Sequence, residues 1–247
     1  MSSLCDIEIM KVYNSMQLIF DILTKYFIND INVQLSKINE EINKLKNLSN
    51  GVKAVEINVD QFEVIKKIHN SPLGLNLLDI LKRGDRIELD LLKNLFNIDE
   101  SVIQYGSIFH DRVEKIVNYG LNKRCSIMID AEQSYIQTFI DSNARFFSYK
   151  YNKGFCTILQ TIQCYLKESY NNSQDYLNFL KKNKLKIGMK IVRGAYMTEE
   201  GKLAKEFNYE NPIFPSIEET HKSYNSLIEK LLTQTNKDDK VRYIKNR

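Results

Sequence analysis

The sequence predicts an α/β protein made of βαβ units, with a parallel sheet that carries its chemistry at the strand ends. Three observations carry that expectation. Apolar, β-rich runs of strand length recur from residue 124 onward: RCSIMIDA (124–131), GFCTILQTI (154–162), KIGMKIVRG (186–194) and KVRYIK (240–245). Helical stretches near 133–148, 164–183, 198–208 and 216–234 separate them, and such alternation produces parallel strands. The runs are almost continuously apolar, as strands covered on both faces must be.

The first half of the chain reads as helix. Over residues 7–46 the apolar positions Leu35, Ile38, Ile42 and Leu45 follow helical spacing, and Glu40 with Lys44 forms an i,i+4 pair on the polar side. Asn50-Gly51 ends the pattern. AVEINVD (54–60) alternates enough to be a first strand, and 61–120 is mostly helical, punctuated by Ser71-Pro72, Gly84 and Gly106. The organisation expected is a helical region over 1–50 followed by a barrel-like part over 51–247.

Two α/β architectures compete. An open, doubly wound sheet normally carries G-x-G-x-x-G after its first strand, and none of the nine glycines is followed by another two residues on. A closed (β/α)8 TIM-like barrel instead distributes functional residues over the carboxyl ends of several strands. The polar residues here follow the second pattern.

Composition narrows the function. Thirty-five basic and 31 acidic residues give +4 with the signs well mixed, and no basic block alternates with aromatics, which argues against nucleic acid. The four cysteines form no C-x-x-C pair, so a reducing compartment fits, and Cys125 and Cys156 read as small buried hydrophobes. His69, His110 and His221 are scattered, read as exposed or capping, and no H-E-x-x-H occurs, so no metal site is expected. No apolar run reaches the ~18 residues of a membrane span. The first 50 residues contain no arginine and show no presequence, which fits a cytosolic mature chain or a natural start lying elsewhere.

The strand ends hold the candidate site. Asp130 and Glu132 close the first run and suit a base, an acceptor or a ligand; the alternative is that one caps the next helix, worth about 1 kcal/mol. Gln163 ends the second run with both a donor and an acceptor, suited to the amide edge of a ligand such as a flavin, although an isolated surface glutamine is commoner. Lys190 lies between Met189 and Ile191, where a lysine is uncommon unless it is paired or faces a ligand. Arg193 offers charge to a phosphate or carboxylate. Gly194 permits close backbone approach, and Tyr196 can stack or hydrogen-bond.

The blocks MIDAEQSY, IQCYLKESY, KIVRGAY and YENPIFPSIEETHKSYN, in that order and spacing over 124–232, resemble the flavin-dependent proline dehydrogenases, nearest the eukaryotic, mitochondrial branch. The resemblance implies a distorted (β/α)8 barrel that binds FAD at the carboxyl ends of its strands. It implies oxidation of L-proline to Δ1-pyrroline-5-carboxylate, with electrons passed to a membrane quinone and a home at the matrix side of the mitochondrial inner membrane. By position, Asp130 matches the aspartate lining the substrate pocket, and Gln163 a glutamine against the isoalloxazine. Lys190 matches a basic residue beside the flavin, where a cation favours the reduced anionic ring. Lys190 and Asp130 are thus the catalytic candidates. Val192, Arg193, Gly194 and Ala195 match the cofactor-contacting segment, and Tyr196 the aromatic between cofactor and substrate.

Two departures qualify the resemblance. Glu56 stands where the family's first strand carries a lysine in a segment like A-x-K-x-T. The family's later His-Asn strand and the R-R-x-x-E-N helix that clamps the proline carboxylate are absent, and no Arg-Arg pair occurs anywhere in the chain. The expectation is therefore of an incomplete form of the enzyme. A degenerate, non-catalytic relative, hydroxyproline oxidation, and an unrelated barrel binding a phosphorylated ligand are the other readings. A bidentate guanidinium–carboxylate contact is the oriented part of substrate recognition. Taken alone, the 247-residue chain should purify without firmly held FAD and give no measurable dye reduction with proline; a yellow protein bleached by proline is the contrary result.

Overall fold

The computed structural model describes residues 4–28, 35–44, 57–206, 208–235 and 241–245. Ten helices and four strands follow in order over these residues. They are α1 (Ile7–Ile28), α2 (Leu35–Lys44), α3 (Val59–His69), α4 (Leu77–Arg83), α5 (Arg86–Phe96) and α6 (Glu100–Asn122), then β1 (Ile127–Ile129), α7 (Ser134–Tyr151) and β2 (Ile158–Gln163). The chain continues with α8 (Ser169–Lys182), β3 (Ile187–Val192), α9 (Met197–Glu206), α10 (Ile217–Thr235) and β4 (Val241–Lys245). Two compact units result: Met1–Lys115 with Tyr135–Phe146, and Ile116–Ser134 with Phe147–Arg247.

The first unit is helical. Its helices start where short polar side chains satisfy the free amides of the first turn. Asp85 accepts from the Ile87 and Glu88 amides, and Asn76 from that of Asp79. Asn58 and Gln61 form a capping box at the start of α3. That box explains a difference from the sequence reading: Val59 and Asp60 of the expected strand 54–60 are the first turn of a helix, because N-x-x-Q chemistry outweighs a short alternation. Ile57 and Asn58 are not in a strand either, and residues 54–56, Glu56 included, lie outside the described residues. Aromatic rings fill the core, with Tyr13 and Phe139 at 5.0 Å and Phe20 edge-on to Phe96 at 5.7 Å. A buried polar network runs through it: Gln17 donates to the Leu75 carbonyl (2.9 Å) and accepts from the Leu77 amide (3.0 Å) and Ser142 Oγ (2.9 Å).

His110 also lies in this unit and corrects an expectation. It is fully buried, edge-on to Phe146 at 5.4 Å, with Nδ1 3.2 Å from Asp111 Oδ1, so it is a core histidine.

The second unit holds the sheet. Its strand order is β1-β2-β3-β4, all parallel. The order never reverses, so these four strands contain no switch point. Side-chain alternation divides the faces. Ile162, Ile187, Met189 and Ile191 pack on Tyr176, Leu177 and Leu180 of α8 and on Tyr224, Leu227 and Leu231 of α10, all buried. Leu159, Thr161 and Gln163 of β2 lie on the other face, with Gly188, Lys190 and Val192 of β3.

Helices α6 and α8 run into their strands through the same closure. Arg124 and Lys184 adopt left-handed φ of 54° and 55°. Cys125 N–H bonds to Gly120 O and Leu185 N–H to Leu180 O, the 6→1 bond of a Schellman motif. This closure consumes the start of the first β-rich run, so β1 is only three residues long and Cys125 is exposed rather than buried. Cys156 is buried as expected.

Asn152, fully buried at the end of α7, holds the amino ends of β2 and β3. Its Oδ1 accepts from the Thr157 (3.0 Å) and Ile158 (2.8 Å) amides, and its Nδ2 donates to the Ile158 (2.8 Å) and Lys186 (3.2 Å) carbonyls. Truncation would orphan several buried backbone groups at about 1–3 kcal/mol each. Asn152→Ala should therefore lower unfolding stability by at least about 3 kcal/mol, read as a reduced urea midpoint at unchanged m-value.

Candidate active site at the carboxyl ends of the strands

The parallel register brings Asp130, Thr161 and Lys190 into one row on the sheet face opposite α8 and α10. Thr161 pairs with Lys190 across β2 and β3, and Asp130 follows β1 directly. Lys190 Nζ lies 2.5 Å from Asp130 Oδ1, and Thr161 Oγ1 lies 3.5 Å from the same oxygen. The lysine is mostly buried, with 18% of its side chain accessible, whereas the aspartate remains 64% accessible. Lys190, singled out as anomalous within an apolar strand, is thus a paired cation whose partner is exposed to incoming molecules.

The capping alternative for the carboxylates does not describe α7. Gln133 occupies the N-cap position without a side-chain bond. The Ser134 amide and hydroxyl donate instead to the two carboxylate oxygens of Glu200, each at 2.6 Å. Glu200 is fully buried on α9, and a carboxylate at a helix N-terminus complements the free amides there. Asp130 is left for the Lys190 pair.

Gln163 and Tyr196 meet through the β1–α7 connection. Gln163 Nε2 donates to the Glu132 carbonyl (2.8 Å), and Tyr196 Oη donates to Glu132 Oε2 (2.9 Å). The buried Tyr165 donates from its hydroxyl to Gln163 Oε1 (3.1 Å). Beyond β2 the chain pairs with the NPIFP segment: Lys167 N–H bonds to Pro212 O (2.8 Å) and Phe214 N–H to Tyr165 O (2.9 Å).

Arg193 takes the other direction. Its guanidinium lies 4.3 Å from the centre of the Tyr224 ring, a member of the α10 core, so strand alternation separates it from Lys190. Gly194 and Ala195 are exposed at the turn, and Val192 is half-buried. The structure therefore gathers Asp130, Lys190, Gln163 and Tyr196 and sets Arg193 apart on the helix side. Sequence reasoning missed Thr161, Tyr165 and Glu200. Thr161 was within reach, since period-2 spacing puts it on the face of Gln163; Tyr165, two residues from its partner Gln163, carries no motif that marks it, and Glu200 bonds to Ser134 sixty-six residues away.

A parallel sheet with an ion pair and amide donors at its strand ends defines an α/β protein with a candidate polar site. A family model described as proline dehydrogenase matches residues 8–244, and the chain belongs to the proline dehydrogenase family. That match extends well upstream of the blocks at 124–232, which alone carried the resemblance. The chain is similar to proline dehydrogenase 1, mitochondrial, of Dictyostelium discoideum (34% identity over 199 residues, 78% of this chain and 33% of the relative). It is similar as well to the Homo sapiens protein of that name (34% over 131 residues, 53% of this chain and 22% of the relative). Hydroxyproline dehydrogenase of Xenopus laevis is 32% identical over 121 residues, 49% of this chain and 26% of the relative. The chain spans about a third of the length of the Dictyostelium relative. Among solved structures, proline utilization A from Bdellovibrio bacteriovorus, inactivated by N-propargylglycine, shares the fold with a TM-score of 0.51 at 20% identity, over 56% of this chain and 14% of that one.

Burial pushes the Tyr165 hydroxyl from the ordinary 10.0 up to about 12, with the negative charge of Glu200 adding to the rise. The folded chain holds this proton more tightly than the unfolded one, so the contribution is complete below pH 10 and is lost as pH climbs to about 12. Tyr165→Phe should flatten the fall in urea midpoint across that window; an unchanged slope is the contrary result.

Proposed function

We propose that this chain supplies the flavin-facing half of an FAD-dependent proline dehydrogenase, an oxidoreductase converting L-proline to Δ1-pyrroline-5-carboxylate. The observation that carries the reading is the Asp130–Lys190 pair, at the strand ends of a chain belonging to that family. Within it, residues 51–247 belong to a (β/α)8 barrel and 1–50 to a helical region ahead of it. Electrons pass on to a quinone at the matrix side of the mitochondrial inner membrane, in keeping with relatives named mitochondrial. Among the described residues no helix is long and apolar enough to cross a membrane.

The donor set suits the cofactor. The edge of a flavin ring presents carbonyl and nitrogen acceptors, and the Lys190 ammonium and Gln163 amide are donors of the kind that edge needs. FAD, when bound, supplies the hydride acceptor for the ring carbon of proline. The remaining work falls to this chain's own residues. Lys190 holds a positive charge where reduction builds negative charge, and Asp130 fixes that ammonium while its exposed carboxylate faces the substrate amine. Tyr196, anchored by Glu132, presents its ring to the substrate. Val192, Gly194 and Ala195 line the cofactor segment, and Arg193 joins that segment from the helix side, its guanidinium 4.3 Å from the centre of the Tyr224 ring.

The test is a chimera joining residues 1–247 to the part of the Dictyostelium relative beyond the match. It should purify yellow and reduce an acceptor dye with L-proline, and Lys190→Met should lower kcat/KM about a hundredfold, the cost of removing a preorganised charge at a reacting centre. A folded, flavin-loaded chimera without proline-dependent reduction would sink the proposal. Running hydroxyproline in parallel settles which ring the site prefers, a question that the Xenopus relative raises.

A further inference from the structure

We propose that Tyr165 is the positioning residue of the cofactor corner: its phenol closes a ring of hydrogen bonds that fixes Gln163 and Tyr196 in place. The inference rests on the flavin reading above and adds to it a residue that no strand-end argument selects.

The ring can be followed atom by atom. The Tyr165 hydroxyl donates to Gln163 Oε1 (3.1 Å), and Gln163 Nε2 donates to the Glu132 carbonyl (2.8 Å). Tyr196 Oη donates to Glu132 Oε2 (2.9 Å), and the Tyr196 backbone amide is directed at the Tyr165 oxygen. Each hydroxyl and amide keeps a consistent donor or acceptor role around the circuit, so no group competes with itself. Three segments are tied together: the β1–α7 connection, the end of β2, and the turn from β3 into α9.

The aromatic ring of Tyr165 does a second job. A Cβ on Gly194 would come 2.9 Å from Tyr165 Cδ1 and 3.0 Å from Cγ, inside normal contact. The glycine of KIVRGAY is thus required by the tyrosine beneath it, whether or not a ligand approaches. Tyr165 is fully buried, and its backbone oxygen takes the Phe214 amide (2.9 Å), which ties its main chain to the NPIFP segment. Two candidate site residues and one glycine are therefore set by one side chain. A site whose donors are already held in place avoids the ordering cost that binding otherwise incurs.

The experiment compares the chimera described above with its Tyr165→Phe and Tyr165→Leu variants, using isotope-labelled protein and FAD as the probe. Phenylalanine keeps the ring under Gly194 and removes the hydroxyl alone. Without flavin, Tyr165→Phe should move the Gln163 side-chain amide and Tyr196 backbone amide resonances. Titrated with FAD, it should bind about fivefold more weakly and alter the visible spectrum of the bound flavin, the loss expected from one or two freed side chains. Tyr165→Leu should lose more affinity, and in its background Gly194→Ala should cost less than in the parent. Shifted resonances with unchanged affinity and flavin spectrum would overturn the positioning role while leaving the flavin site standing. Unmoved resonances would overturn the ring itself. A parent chimera that gives no saturable FAD signal would remove the flavin reading, and this inference with it.

Discussion

The buried Asn152 clamp is the constraint on which the sheet depends. Parallel strands have no hairpin to fix their register, so something outside the ladder must. A carboxamide that accepts from two amides and donates to two carbonyls does this at the amino ends of β2 and β3. With that end fixed, Thr161 faces Lys190 and Gln163 faces Val192. A slip of one residue would turn Lys190 into the apolar layer of Tyr224 and Leu227 and send Met189 to the polar row. The distance between the clamp and the site is the length of a strand, and the strand transmits the constraint because its period is fixed.

At the other end of the strands the energetics are those of paired, half-buried charge. Lys190 is shielded enough that an unpartnered ammonium there would be costly, and Asp130 offsets that cost from an exposed position. The arrangement leaves the carboxylate open to a second partner, which a fully buried pair would not. Glu200 has the opposite design: wholly buried, both oxygens committed to Ser134, and serving the helix end rather than the site. Two acidic residues in the same unit thus differ in role through their partners and their accessibility.

The fold was legible in the sequence to the extent that its patterns are local. The four β-rich runs and the helices between them rest on composition within a few residues. Where local rules competed, the reading slipped. The alternation at 54–60 gave way to the Asn58–Gln61 capping box, and the Schellman closure at Arg124 shortened the first run to Ile127–Ile129. His110 and Cys125 exchanged the burial expected of them, because burial depends on what packs against a residue rather than on its own type.

For the site, the sequence by itself determined the chemistry: a carboxylate, a carboxamide, an ammonium and a phenol at successive strand ends, in the order of the proline dehydrogenase family. Only the tertiary structure decided who holds whom. Lys190 pairs with Asp130 sixty residues away, Tyr196 with Glu132 sixty-four away, and Arg193 turns to Tyr224 rather than joining them. The physical reason is that side-chain period names a face, while a contact across strands needs the register, and register is a property of the assembled sheet.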